Sequence, residues 1–263
     1  MRYLSALLPM FLLSACQKVI VVKLDSSDTR YILTGTVTDQ PGGCQVSITQ
    51  SKAFSENNQF PGVSGATVTV EHDGVVTVLK EMTAGVYRDD TMAGEAGHTY
   101  RLAVHAGDAH FTASSTMPQP VGLDSIYLKR VPLNDYPFVY VVYRDPVNIV
   151  NHYRFCQYVN GRKEPSIFVS DDEFTDGQTV KSQLNYNNDN NDDPSMNITP
   201  GDSVRIEMTC IDAAVYEFWY SLSNGATGQN STASPANPVS NITGGAIGYF
   251  SAQTVRQRTL IAP

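Results

Sequence analysis

Polar and apolar residues alternate with period two along most of the chain, and helical periodicity is scarce. Such alternation puts every second side chain on one face of a sheet, so it predicts strands with one buried face. Tyr31 to Val37 and Cys44 to Gln50 read as strands flanking the turn Asp39-Gln40-Pro41-Gly42-Gly43. Ala66, Val68 and Val70 alternate with Thr67, Thr69 and Glu71. Asp73-Gly74 then predicts a type I′ hairpin into Val75 to Leu79, because both central residues must accept positive φ. Tyr100, Leu102 and Val104 form another alternating run, and Gly107-Asp108 turns it back into His110 to Thr116. Further runs cover Asp124 to Arg130, Phe138 to Tyr143, Tyr153 to Val159 with a turn at Asn160-Gly161, Asp202 to Ile211, and Ile247 to Ile261. Short strands at this spacing predict antiparallel sandwiches.

One helix interrupts the pattern, at about 212–224. Asp212 is a suitable N-cap, Val215, Phe218, Trp219 and Leu222 fall at i, i+3, i+4 and i+7, and Gly225 suggests a left-handed stop. Trp219, the single tryptophan, is expected to pack in the core. Ala226 to Pro238, rich in Ser, Thr, Gly, Asn and Ala, reads as a loop. The stretch Met117-Pro118-Gln119-Pro120-Val121-Gly122 interrupts strand pairing and marks a boundary. The predicted fold is mostly β. An immunoglobulin- or transthyretin-like sandwich spans 30–117 and a linker 118–122, followed by a larger β domain with the one packed helix at 123–263.

The N-terminus adds a location. Met1-Arg2-Tyr3 precedes an apolar run from Leu4 to Leu13, too short to span a bilayer but suited to a secretory signal. It leads into Leu13-Ser14-Ala15-Cys16, the pattern of a bacterial lipobox. The expectation is a signal peptide at 1–15, a lipid on Cys16 and a tether over 16–29, with 248 of the 263 residues retained. The net charge of −8, from 18 basic and 26 acidic residues, argues against a nucleic-acid partner, which requires a basic face.

Candidate chemistry is sparse. Asp171-Asp172-Glu173, with Asp176 before Gly177, offers oxygen ligands for a hard cation such as Ca²⁺ without the EF-hand spacing, and equally reads as a solvated turn. The same two readings apply to the run Asn187 to Asp193. If Gly107-Asp108 is a two-residue loop, His105 faces His110 across the hairpin, a pair suited to Zn²⁺ or an exposed hairpin tip. Gly244, Gly245 and Gly248 lack the Lys-Ser/Thr ending of a phosphate loop and suit a tight turn and a close backbone contact. Neither a Gly-x-Ser-x-Gly elbow nor a His-Glu-x-x-His helix occurs. Cys44, Cys156 and Cys210 remain after lipidation, and a Cys156–Cys210 disulfide competes with three separate thiols.

Several of these segments resemble one family. They are Leu33-Thr34-Gly35-Thr36-Val37-Thr38, Val63-Ser64-Gly65-Ala66-Thr67-Val68, Gly85-Val86-Tyr87, Asp171 to Gly177, and above all Asn237-Pro238-Val239-Ser240-Asn241-Ile242-Thr243-Gly244-Gly245-Ala246-Ile247-Gly248-Tyr249-Phe250-Ser251-Ala252. Together they are similar to the Bacteroidetes lipoproteins catalogued as domain of unknown function 4249, in order and over nearly the whole chain after Cys16. The resemblance implies an outer-membrane lipoprotein without an assigned activity, and membership of a group that often accompanies TonB-dependent transporters. In that group acidic residues after the lipidated Cys go with surface export. Gln17-Lys18-Val19-Ile20 has none, which favours the periplasmic face. The expected role is a non-catalytic accessory or binding protein with no cofactor beyond the lipid. A surface structural or adhesive protein, and a hydrolase whose carboxylates meet only in space, are the alternatives.

Overall fold

The computed structural model describes residues 29–51, 60–132, 135–184, 197–226 and 236–263. Cys16 and the run Asn187 to Asp193 lie outside the described residues. In chain order the first strands are β1 (Tyr31–Thr38), β2 (Cys44–Gln50), β3 (Thr67–His72), β4 (Val75–Val78), β5 (Lys80–Thr83), β6 (Val86–Asp89), β7 (Thr99–Ala106) and β8 (Ala109–Thr116). Then come β9 (Leu123–Lys129), β10 (Phe138–Arg144), β11 (His152–Val159), β12 (Arg162–Lys163), β13 (Phe168–Asp171), β14 (Thr179–Leu184) and β15 (Ser203–Ile211). The helix α1 (Ala213–Ser221) and the short β16 (Ile242–Thr243) precede the last strand, β17 (Ile247–Ile261).

These strands form three sheets. The largest runs β12-β11-β15-β17-β1-β2-β6-β5, with β13 also on β11. A five-stranded sheet, β16-β8-β7-β3-β4, covers one end of it, and a three-stranded sheet, β14-β10-β9, covers the other. The result is two sandwiches that share one long sheet. Leu33, Val46, Ile48, Val68, Leu102, Val104 and Phe250 lie in the first core. Val141, Tyr153, Phe155, Val204, Ile206 and Met208 lie in the second. The linker is short: Met117, just before it, lies in the first core, and its Val121 lies in the second.

The shared element is β17. Its first half pairs in parallel with β1, from Ile32↔Ile247 to Thr38↔Gln253. Its second half pairs antiparallel with β15, from Cys210↔Thr254 to Ser203↔Ile261. Where β1 leaves, Asp39 takes over, its carboxylate accepting Val255 N at 2.9 Å and pairing with Arg256 at 2.6 Å. One correction follows for the expected domain spans. Ile242, Ala246, Phe250 and Ala252 belong to the first core, so 123–263 is not one continuous second unit. The chain returns to finish the first sandwich because β1 leaves an unpaired edge, and an unpaired strand edge must be covered.

Gly248 makes this pairing possible. Its φ is +135°, and a Cβ there would lie 1.7 Å from the Leu33 carbonyl oxygen. Only a residue without a side chain lets the two backbones approach this closely.

The helix sits on the opposite face of the shared sheet. Tyr249, which alternates with the core residue Phe250, meets Phe218 and Trp219 at ring-centroid distances of 5.0 Å each. Trp219 is only partly buried, and the Arg154 guanidinium lies 3.9 Å over its ring. Asp212 caps the helix as expected, accepting Val215 N at 2.9 Å. Its other oxygen accepts the Ser115 hydroxyl at 2.5 Å, and Ser115 Oγ accepts Ala252 N at 2.8 Å. One buried serine thus joins β8, the helix cap and β17. Gly225 does not act as a left-handed stop. It lies in a π-helical turn, Leu222–Ala226, that continues α1, and it is absent from the glycines with positive φ.

Candidate functional site

The acidic segment Asp171 to Gly177 joins β13 to β14. It is a tight turn, with Thr175 N and Asp176 N both donating to the Asp172 carbonyl, at 2.9 and 3.0 Å. Facing it is the loop between β10 and β11, Asp145 to Asn151. The two loops are fastened by carboxylates. Asp172 accepts Asn151 N at 2.8 Å, and Asp176 accepts Asn148 N at 2.7 Å. Asp145 accepts the Tyr153 hydroxyl, and Gly177 N donates to it at 3.4 Å. Asp145, Asp172 and Asp176 thereby bring one oxygen each within 4.8 Å of one another.

Asp145 and Asp172 are buried, and Asp176 is exposed. Burial raises the Asp145 pKa above the ordinary carboxylate value, and the neighbouring Asp172 and Asp176 charges push the same way against the Tyr153 and Gly177 hydrogen bonds. The buried Tyr153 hydroxyl is pushed up as well, by desolvation first and then by its bond to Asp145. Three carboxylates this close suit a proton on Asp145 or a hard cation that supplies the missing positive charge.

Of the acidic candidates, then, Asp172 and Asp176 come together, and Asp171 and Glu173 do not join them. Asp171 accepts the Tyr216 hydroxyl of α1 at 2.9 Å, and Glu173 points to solvent. Asp145 was missed. Nothing in Arg144-Asp145-Pro146 signals a partner on a different hairpin.

The two loops also expose four large apolar side chains. Val147 is 63% exposed, Ile149 48%, Val150 80% and Phe174 82%. A Cβ on Gly177 would touch Val147 at 3.2 Å, so the loops pack directly. The arrangement is a knob of apolar side chains over a base fixed by buried carboxylates.

The other expected sites resolve as follows. His105 and His110 face each other as read, in register and exposed, with Nδ1 atoms 3.2 Å apart. Among the described residues they belong to no group of three His, Cys, Asp or Glu ligands, and Asp108 is not drawn in. Cys156 and Cys210 form no disulfide, and with Cys44 all three thiols are free and buried. The reason is register. Cys156 lies opposite Glu207, and Cys210 lies opposite Tyr153. An offset of three residues puts the two thiols on opposite faces and about 10 Å apart along the strands. Burial also pushes the Cys44 thiol up to about 12, which suppresses the reactive thiolate. A cleft of about 290 Å³ lies between Phe155, Phe168, Ser170, Gln183 and Tyr220, and none of the three carboxylates lines it.

A family model described as "Domain of unknown function (DUF4249)" matches residues 17–259. No curated protein matches the chain.

Proposed function

We propose, for a chain that belongs to the DUF4249 family, a non-catalytic binding role in the cell envelope, with Cys16 lipidated in the outer membrane and a TonB-dependent transporter as partner. The observation that carries the binding role is the apolar knob. Exposed apolar side chains scattered singly mean little, but four gathered on two adjoining, mutually fastened loops are a concentration of the kind that marks interaction sites. Because backbone hydrogen bonds to buried carboxylates hold the loops, little conformational entropy is lost when they dock. Asp145 and Asp172 are occupied by Tyr153 and by backbone amides, a structural assignment that favours binding over hydrolysis. The anchor rests on Leu13-Ser14-Ala15-Cys16.

A photo-crosslinker at Val150 or Phe174, used on intact cells, tests the reading. Capture of an outer-membrane transporter from these positions, and not from Asp108 on the β7–β8 turn, is the expected result. Recovery of abundant porins alone from all three would refute it. Cys16→Ser should move the protein from the membrane to the soluble fraction, and a variant that stays membrane-bound would sink the anchor.

A second reading has its own observation. Val75, Val76, Val78 and Met82 are 55–60% exposed on β4 and β5, the edge strands of two sheets. An apolar edge suits strand-to-strand assembly, which favours a structural or adhesive surface protein.

A further inference from the structure

The β3–β4 turn carries a second cluster that sequence reading did not pick out. Asp73 and Gly74 have φ of 51° and 80°, the two positive values of the expected type I′ turn. Glu71 stiffens it by accepting Gly74 N at 2.8 Å while its other oxygen pairs with Arg101 at 2.9 Å. The register Glu71↔Arg101 places His72, one step further, against Tyr100, and the two rings lie 5.1 Å apart. The residue just before β7 is His98, which therefore meets the turn.

His72 Nδ1, Asp73 Oδ2 and His98 Nδ1 lie close together. Asp73 Oδ2 is 3.8 Å from His72 Nδ1 and 2.5 Å from His98 Nδ1, and all three donors lie within 4.8 Å of one another. Donors about 2.0–2.2 Å from a tetrahedral metal stand roughly 3.3–3.5 Å apart, so small side-chain rotations suffice. Glu95 Oε2 lies 3.6 Å from His98 Nε2, on the far side of the ring. Without a metal, the 2.5 Å contact puts a proton between His98 Nδ1 and Asp73; a cation displaces that proton, and a carboxylate beyond Nε2 is the usual outer support of a metal-bound histidine.

A histidine–aspartate ion pair alone accounts for Asp73 and His98 but not for His72. His72 Nδ1 is buried and has no hydrogen-bond partner. A buried nitrogen left without a partner is destabilising, and a cation between the three donors satisfies it together with the other two. We infer that His72, Asp73 and His98 bind a divalent first-row transition-metal ion of the zinc type, with the fourth position left to water or an external ligand. Two imidazoles and one carboxylate suit such an ion better than Ca²⁺ or Mg²⁺, which prefer all-oxygen shells.

The site is tested by titrating Zn²⁺ into the detergent-solubilised full-length protein by calorimetry. A His105→Ala/His110→Ala background removes the other histidine pair. About one equivalent should bind. Adding His72→Ala and His98→Ala should abolish binding, and Asp73→Asn should weaken it at least tenfold. Because these side chains are partly or largely exposed, circular dichroism should show the variants folded. The Zn²⁺-dependent rise in melting temperature should vanish with them. Absence of binding to the background protein, or equal binding after loss of both His72 and His98, would overturn the site.

Discussion

If β17 is one strand serving two cores, damage to the first core must be felt in the second. Leu33→Ala tests this. Leu33 is fully buried in the first core and lies between Gly248 of β17 and Ile48 of β2. The substitution removes three carbons, about 2.4 kcal/mol of transfer free energy at roughly 0.8 kcal/mol each. The cavity raises the cost to about 3–4 kcal/mol. With a urea m-value of roughly 3 kcal/mol per M for a chain of this size, the midpoint should fall by about 1 M. Two signals are followed. Far-UV circular dichroism reports all strands, and fluorescence of the single tryptophan, Trp219, reports the junction where Arg154 of β11 and Tyr249 of β17 meet the helix. Both should move together, and Ile206→Ala in the second core should move both in the same way. If Leu33→Ala shifts the dichroism while the Trp219 midpoint stays in place, the cores unfold separately and the coupling argument is wrong.

Two other outcomes follow from the same structure. Gly248→Ala forces a Cβ to 1.7 Å from the Leu33 carbonyl oxygen at a φ of +135°; it should cost more than about 3 kcal/mol or prevent folding, and a stable, soluble variant by thermal melting would show that β1 and β17 do not pair as described. Burial raises the Asp145 pKa in the folded state above its ordinary value of 3.8, so the folded protein holds that proton more tightly than the unfolded chain. Its contribution is most favourable below 3.8 and declines as pH rises through the raised folded value. The stability of the native protein relative to Asp145→Asn, from urea melts between pH 3.5 and 7, should therefore fall with rising pH. A difference that is flat or grows with pH would contradict the placement of Asp145.

How much of this was legible in the sequence depends on whether a feature is local. The turns at Asp73-Gly74 and Asn160-Gly161, the His105–His110 pairing and the Asp212 cap each depend on residues a few positions apart, and each is present. Alternation also identified the right buried face, since Val204, Ile206 and Met208 all enter one core. It says which face is buried but not which strand lies alongside. The run from Ile247 to Ile261 looks the same whether it has one neighbour or changes from β1 to β15 at Gln253/Thr254. The change is imposed from outside the run, by Asp39 bonding Val255 N and Arg256 where the β1 ladder ends. The candidate sites failed to show for the same reason. Asp145 meets Asp172, and His98 meets Asp73 across 25 residues, only after separate strands have found their register. In this chain the strands are encoded locally, whereas the charges that gather at their ends follow from pairing. For that reason both clusters of ligand atoms lie at loop junctions between hairpins, where no spacing motif could have announced them.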